Sequence, residues 1–597
     1  MVRSLTLAAL LLAPPSLPAS PCGETAPVEA VEIGAVVGPC EFVDVRFARQ
    51  GLDALLPSRA LVLCFLRVDC PLVPRYLPQL EALWRQHERD GVTFVGVNVG
   101  ADDTVVEAAA FALDHGATFP IVRDVDLSTA RACGATRAGE VVVLDGERKL
   151  RYRGRVDGQY RVGGEASAPG RADLALALAE VIAGRAPTVA QTRAEGCVIT
   201  PAPAPQPGVT WVDHVAPLIA RECASCHQPG GDAPFSLLDP SSAASHAAMI
   251  AEVVELGRMP PWHAAPDHGR FRNARGLSAD ERRLVIDWAK GGAPRGAASA
   301  APLPAPGLGR SADGWRIGTP DLVLATPTEM QLPATGVLPY QYALLPHLFV
   351  EETWVEAVEI RAENPRVMHH CNLAHVRLGE EYRTENFITG QVPGGDPLAL
   401  EPGLAVRIPA GSLLALQIHY VTSGKEERDR IEVALRFPRA KVQKQMRHFE
   451  IADFRFAIPP GSAAHPVRAD DTFLVDAIGI GMFVHMHKRG RDMRFEAQPI
   501  EPGAPRETLL LVPTYDFDWQ ASYRWFPGRQ RFAAGTRVEC LAHFDNSPFN
   551  PWNPDPTATV RFGQQTDHEM MYGFLFWVAA DEHLHLEVDP ATGRARS

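Results

Sequence analysis

Two stretches that cannot build a core divide this chain before any motif is considered. Residues 199–210, which include TPAPAPQPGV, and residues 297–317 are dominated by Pro, Ala and Gly. Such segments behave as extended spacers rather than packed elements. The 597 residues therefore fall into three blocks, the last long enough for two domains. A hydrophobic content of 46% against 22% charged residues leaves each block ample core. The net charge of -13 lacks the basic footprint of a nucleic-acid-binding protein.

The first 20 residues, MVRSLTLAALLLAPPSLPAS, combine Arg3, a short apolar run and small residues at Ala19 and Ser20. This is a secretory signal pattern, too short and too interrupted by proline to span a membrane. Pro21 fits a lipid-anchored reading of Cys22 poorly, and no later stretch is long and apolar enough to cross a bilayer. An exported, periplasmic-type protein that does not span the membrane is expected. Ten cysteines are compatible with disulfides there.

Residues 25–198 alternate strand and helix patterns. ALVLCFL leads to Cys70, followed by the helical YLPQLEALWRQHERDG, then VTFVGVNVG, FPIVRD and EVVVLDGERKLRYRG. A strand, a cysteine near a helix start and a closing hairpin resemble the thioredoxin-like redoxins, an α/β fold. A helix N-terminus lowers a thiol pKa, which makes Cys70 a candidate redox thiol. The pattern departs from the family at Val73, where C-x-x-C has its second cysteine, and at Gly139, where a proline is usual. Cys64, Cys133 and Cys197 are the candidate distant partners, and a redox-inert docking fold is the competing reading.

Residues 211–296 carry Cys223-Ala-Ser-Cys226-His227 behind an apolar helix pattern. C-x-x-C-H is the attachment pattern of haem c: two thiols form thioethers and the adjacent imidazole takes the iron. The block, closed by LSADERRLVIDWAKGGAP, resembles a small all-α cytochrome c domain. Met259 in GRMPPW is the preferred second axial ligand, with His263 and His268 as rivals.

From residue 318 the chain is a series of short strand patterns, which reads as two all-β sandwiches, 318–440 and 441–590. FVHMHKRGRDM places His485 and His487 on one strand face with Met486 turned away. His369-His370, His419 in LQIHY and Met570 in TDHEMM add further soft donors. Imidazoles with one thioether suit copper better than magnesium or zinc.

Taken in order, MHHCNLAHV, LQIHYVTSG, HMHKRGRDM, YDFDWQ, HFDNSPFNPWNPDP and QQTDHEMM resemble the type II, ascorbate-dependent copper monooxygenases, which include the peptidylglycine and dopamine hydroxylases. The resemblance implies two jelly-roll-like copper domains facing each other across a solvent-filled cleft. It assigns His369, His370 and His419 to an electron-transfer copper. It assigns His485, His487 and Met570 to the copper at which oxygen meets the substrate C–H bond. Met570 rather than Met571 is the implied ligand because it directly follows the acidic Glu569. Adjacent His369 and His370 require a bulge or strand end to share one metal. His375, His543 and His568 read as structural or supporting residues, and Asp545, Asn546, Asn550 and Asn553 as loop-fixing ones.

The expected function is thus an exported copper monooxygenase acting on a small organic substrate with O2. An external electron donor would feed it through the fused haem. The alternatives are a haem/copper electron-transfer or copper-handling protein without hydroxylase activity, and a thiol-disulfide or peroxide enzyme centred on Cys70.

Overall fold

Strand Ala60–Leu66 is buried along its whole length, as an unbroken apolar run must be when a sheet is covered on both faces. In the computed structural model, which describes residues 31–596 apart from 56–58, 162, 168–169, 298–301, 307–309, 393–394 and 502, it lies inside a seven-stranded sheet. It pairs in parallel with Val92–Asn98 and antiparallel with Val141–Asp145. Helices Val73–His87 and Asp173–Ile182 pack on one face. The other face forms a second core around Leu61, Leu63, Phe65, Val95 and Val142. The proposed signal peptide, residues 1–20, lies outside the described residues.

Between residues 211 and 290 every named element is helical. A helical run from Trp211 to Cys223 and helix Ala279–Lys290 meet through Trp211 and Trp288, with ring centroids 5.5 Å apart. Ser278 and Glu281 cap the second of these reciprocally, satisfying two amide donors that a helix start otherwise leaves open.

Two pairs of sheets follow. In the first, Ile431–Arg436 and Ala357–Ala362 lie in one sheet, and Ser412–Tyr420 and Met368–Arg377 in the other. Their inward residues share one core. In the second, Ala477–Met486 and Met571–Ala579 belong to one sheet, and Gly490–Gln498 and Arg537–Phe544 to the other, around a second core. The expected boundary at 440 moves slightly. Lys444–Gln445 still pairs with the first unit, and Arg447–Ala452 opens the second.

The ends also differ from the sequence reading. Val442 pairs with Leu586 and Thr353 with Arg594, so the C-terminal residues return to the first sandwich instead of finishing the second. The end of the expected 297–317 spacer is structured as well. Trp315 and Ile317 are buried against the first sandwich, and Arg361 lies 3.9 Å over the Trp315 ring. Apolar bulk overrides a proline-rich context there. Residues 200–208, in contrast, are exposed or nearly so.

The blocks are packed together rather than strung loosely on spacers. Phe549 of the second sandwich joins the core of the first block, and Ala264 and Phe271 of the helical block join the second sandwich. A buried ion pair, Arg46–Asp545 at 3.1 Å, ties the first block to the last.

The two sandwiches meet through rings. His448 packs among Phe387, Phe574 and Phe576 at 6.0–6.1 Å. Burial lowers its imidazole from 6.5 to about 4. Because the folded value is depressed, the unfolded chain takes up the proton first as pH falls. Stability is full above about pH 6.5 and is lost towards pH 4, by about 3 kcal/mol for this group. His448→Phe is expected to shrink the gap between urea midpoints at pH 7.5 and pH 4.5; an unchanged gap would show that this ring does not contribute.

Candidate metal centre and thiol site

The two-histidine segment sits where two strands meet. His370 pairs with His419 across the ladder between Met368–Arg377 and Ser412–Tyr420, and the register slips between Met368 and His370. That irregularity turns His369 to the same side as its neighbour, which a regular strand would forbid. The result is a cluster in which one ligating atom from each of His369, His370 and His419 lies within 4.8 Å of the others. The Nδ1 atoms of His369 and His370 are 2.9 Å apart, and those of His369 and His419 are 3.4 Å apart.

The far side of each ring explains why these nitrogens converge. His369 Nε2 donates to Asp518 Oδ1 at 2.9 Å, which turns Nδ1 toward the other two rings. His370 Nε2 is 2.9 Å from the Tyr340 hydroxyl. Phe517 stacks on His369 at 4.8 Å. Burial, reinforced by the neighbouring imidazoles, holds His370 well below its ordinary pKa and lowers His419 to about 3. Ring nitrogens gathered this closely from three buried imidazoles are an arrangement that could hold a metal ion.

The second set lies on the outer face of the second sandwich. His485 pairs with Tyr572 and Met486 with Met571. Continuing that register by one residue sets His487 opposite Met570, and opposed residues of an antiparallel pair share a face. The packing agrees: Met486 and Met571 fill the sandwich core, while Met570 lies with Tyr572 and Phe574 on the other side. His485 Nδ1 is 3.0 Å from Gln520 Oε1, and His487 Nδ1 is 3.3 Å from the His568 carbonyl. His487 Nε2 is buried without a hydrogen-bond partner. Burial lowers His485 to about 4 and His487 well below its ordinary value.

The expectation of two sets facing across a cleft needs correction. The His370 and His485 rings are 5.8 Å apart, so the two sets meet edge to face. The cleft lies to one side: about 340 Å³, lined by His369, His419, His487, Phe517 and Asp518, with Arg46 of the first block at its rim. The direct packing of Phe517 against His369, His370, His419 and His487 closes what would otherwise be a gap.

Supporting residues surround this centre. Buried Glu569 accepts from the amides of His487, Arg489 and Met570 at 2.9, 2.6 and 3.3 Å. Asn546 accepts from Arg489, and Asn550 donates to the Lys488 carbonyl. Asn553 and Asp545 brace the same loop. His543 pairs with Asp492 at 2.7 Å, and His375 is part-buried on its strand. Sequence reasoning did not assign roles to Tyr340, Phe517, Asp518, Gln520 or Glu569. The motif YDFDWQ held the signal for three of them.

In the helical block, Cys223 and Cys226 are free and part-exposed. His227 follows them with Nδ1 3.0 Å from the Phe235 carbonyl, leaving Nε2 as its open nitrogen. Burial keeps this imidazole below its ordinary pKa, hence neutral. Met259 lies part-buried just beyond helix Ala247–Leu256. The rival ligands are engaged elsewhere: His263 is 3.3 Å from Thr514 Oγ1, and His268 pairs with Asp114 at 2.8 Å.

In the first block, Cys70 is buried in a turn three residues ahead of helix Val73–His87. Gly139 is required where the family has proline, because its N–H donates to the Phe65 carbonyl at 2.7 Å and its φ is +90°. Cys64 and Cys133 are fully buried, and burial raises both thiols. They lie in cores on opposite faces of the sheet. Cys197 instead packs against the core that contains Cys70.

Residues 42–166 match the Redoxin family model. No curated protein matches the chain. Similar solved structures include a hypothetical protein from Sinorhizobium meliloti 1021, at 24% identity over 29% of this chain and 97% of that one, with a TM-score of 0.27. A putative thiol:disulfide interchange protein DsbE from Chlorobium tepidum is 17% identical over 26% of this chain and 98% of that one, TM-score 0.21. Peroxidoxin BcpB from Mycobacterium tuberculosis is 18% identical over 25% and 94%, TM-score 0.20. Among the described residues no helix is long and apolar enough to cross a membrane. The sheet order, the cysteine turn ahead of the first long helix and the family match together make residues 42–166 a redoxin, thioredoxin-like domain within a larger, largely β chain.

Proposed function

We propose that this chain is an exported copper-dependent monooxygenase that hydroxylates a C–H bond of a small organic substrate with O2, drawing electrons through a covalently attached haem c. The observation that carries the reading is the convergence of three buried imidazole Nδ1 atoms beside the orphaned, buried His487 Nε2. Two such donor sets, one of three nitrogens and one of two nitrogens and a thioether, fit copper in both oxidation states. Bound there, copper supplies the redox chemistry that places one oxygen atom in product and the other in water.

The protein's own contribution is positional. His369, His370 and His419 would hold one ion, and His485, His487 and Met570 the other. Asp518 and Gln520 fix which ring nitrogens face the metals, and Tyr340 steadies His370. Low imidazole pKa values keep His370, His419, His485 and His487 unprotonated at neutral pH. Phe517 shields the inner donors from water while the cleft gives a small molecule access. Cys223, Cys226 and His227 would hold the haem, with Met259 as second ligand. The two free thiols and the open His227 Nε2 fit that group.

The contact between His370 and His485 favours one alternative, an electron-transfer or copper-handling protein. It leaves no room for substrate directly between the two sets. Oxygen uptake by the copper-loaded, full-length protein under excess reductant separates these readings. A 2-phenylethylamine and a glycine-terminated peptide serve as probes, after the two hydroxylases of the family resembled. Substrate-dependent uptake with 18O2 label in the product is expected; uptake indifferent to every organic probe would favour the carrier.

A further inference from the structure

The first block holds a pair of thiols that no C-x-x-C motif announces. Residues 196–199 run as a strap over the loop 136–139. Ala138 N–H donates to the Cys197 carbonyl at 2.8 Å, and Ile199 N–H to the Thr136 carbonyl at 2.9 Å. Arg137 and Val198 form an antiparallel bridge, and the Arg137 guanidinium donates to the Gly196 carbonyl at 2.7 Å. Gly196, at φ +138°, makes this approach feasible: a Cβ there would fall 1.9 Å from the Ala138 carbonyl oxygen. The strap thus fixes the backbone on either side of Cys197. It brings that side chain against the core containing Cys70.

The two thiols differ in access. Cys70 is 1% exposed, whereas Cys197 is part-exposed at the edge of the domain. We propose that Cys70 and Cys197 form a reversible dithiol/disulfide couple in which Cys197 is the thiol that meets external disulfides and Cys70 is the buried resolving thiol. The Cys197 thiolate attacks R–S–S–R, forming Cys197–S–S–R and releasing R–S⁻. The Cys70 thiolate then attacks the Cys197 sulfur, forming the Cys70–Cys197 bond and releasing the second R–S⁻. Two protein thiols lose two electrons, the external disulfide gains them, and the two protons pass to the released thiolates. A dithiol reductant reverses the sequence. The order of attack follows from access: a buried sulfur cannot meet a bulky disulfide first. Where the redoxins have a second cysteine three residues on, this chain has Val73 and uses a residue beyond the C-terminal end of the matched domain.

The test treats the full-length protein with oxidised glutathione, then blocks free thiols and maps peptides by mass. Wild type is expected to show a Cys70–Cys197 linked peptide that dithiothreitol removes. Cys70→Ser is expected to stop at the first step, with glutathione trapped on Cys197. Cys197→Ser should yield neither the link nor glutathionylated Cys70, and Cys133→Ser should behave as wild type. Stable glutathionylation of Cys197 in wild type, with no link to Cys70, would overturn the proposal. So would glutathione on Cys70 in the Cys197→Ser variant, or a linkage between other cysteines alone. Copper content and oxygen uptake do not enter this readout, so it stands or falls separately from the hydroxylase reading.

Discussion

Replacing Met570 by Leu is expected to abolish substrate-dependent oxygen uptake while leaving reduction of the haem intact. The substitution keeps volume and hydrophobicity, so its cost to stability stays below about 1.5 kcal/mol. What it removes is the thioether on the face shared with His485 and His487. Losing even a residue that only supports a metal ligand costs on the order of 10–100-fold, and losing a ligand itself should reach or exceed the upper end. Met571→Leu is the control, because Met571 points into the sandwich core. Stopped-flow reduction of the haem should match wild type in both variants, since the helical block is untouched. Equal oxygen uptake in Met570→Leu and wild type would remove Met570 from the site.

The second large effect is expected at Glu569. Its side chain is fully buried, and its two oxygens take the amide protons of His487, Arg489 and Met570. Alanine would strand three buried donors at once, each costing about 1–3 kcal/mol. It would also leave Arg489, 1% exposed, with less compensation for its charge. A loss of roughly 3–5 kcal/mol in urea unfolding is expected. Copper affinity should fall with it, because Glu569 holds the backbone of His487 and Met570 together. Glu569→Gln keeps one carbonyl acceptor and should recover part of the loss. A Glu569→Ala protein within about 1 kcal/mol of wild type would show that the loop is held by other means, such as Asn546 and Asn550.

Local periodicity made much of this legible. H-x-H on a strand fixes a shared face, and the all-apolar ALVLCFL run fixes a strand covered on both sides. The choice of Met570 over Met571 rests on one residue of pleat, and the paired register, continued one residue past Met486 and Met571, favours Met570. The bulge beside His369 was required by the chemistry expected of two adjacent histidines, and the register slips at that place. What the sequence could not convey depends on long-range packing. Asp518 reaches His369 across 149 residues and Tyr340 reaches His370 across 30. Neither partnership has a spacing rule. The near contact of His370 and His485 depends on how two sandwiches dock, which a list of ligands leaves open. Of the three candidate partners for Cys70, Cys197 is the one that the strap at Gly196 carries from the edge onto the core holding that residue.

The most direct test of the central claim is the ratio of copper to haem iron in the full-length, copper-loaded protein after removal of loosely bound metal. Two coppers per haem are expected, one for each imidazole set. A protein carrying haem and no tightly bound copper would contradict the account, leaving the clustered histidines as structural residues and the haem and the thiol pair as its redox groups.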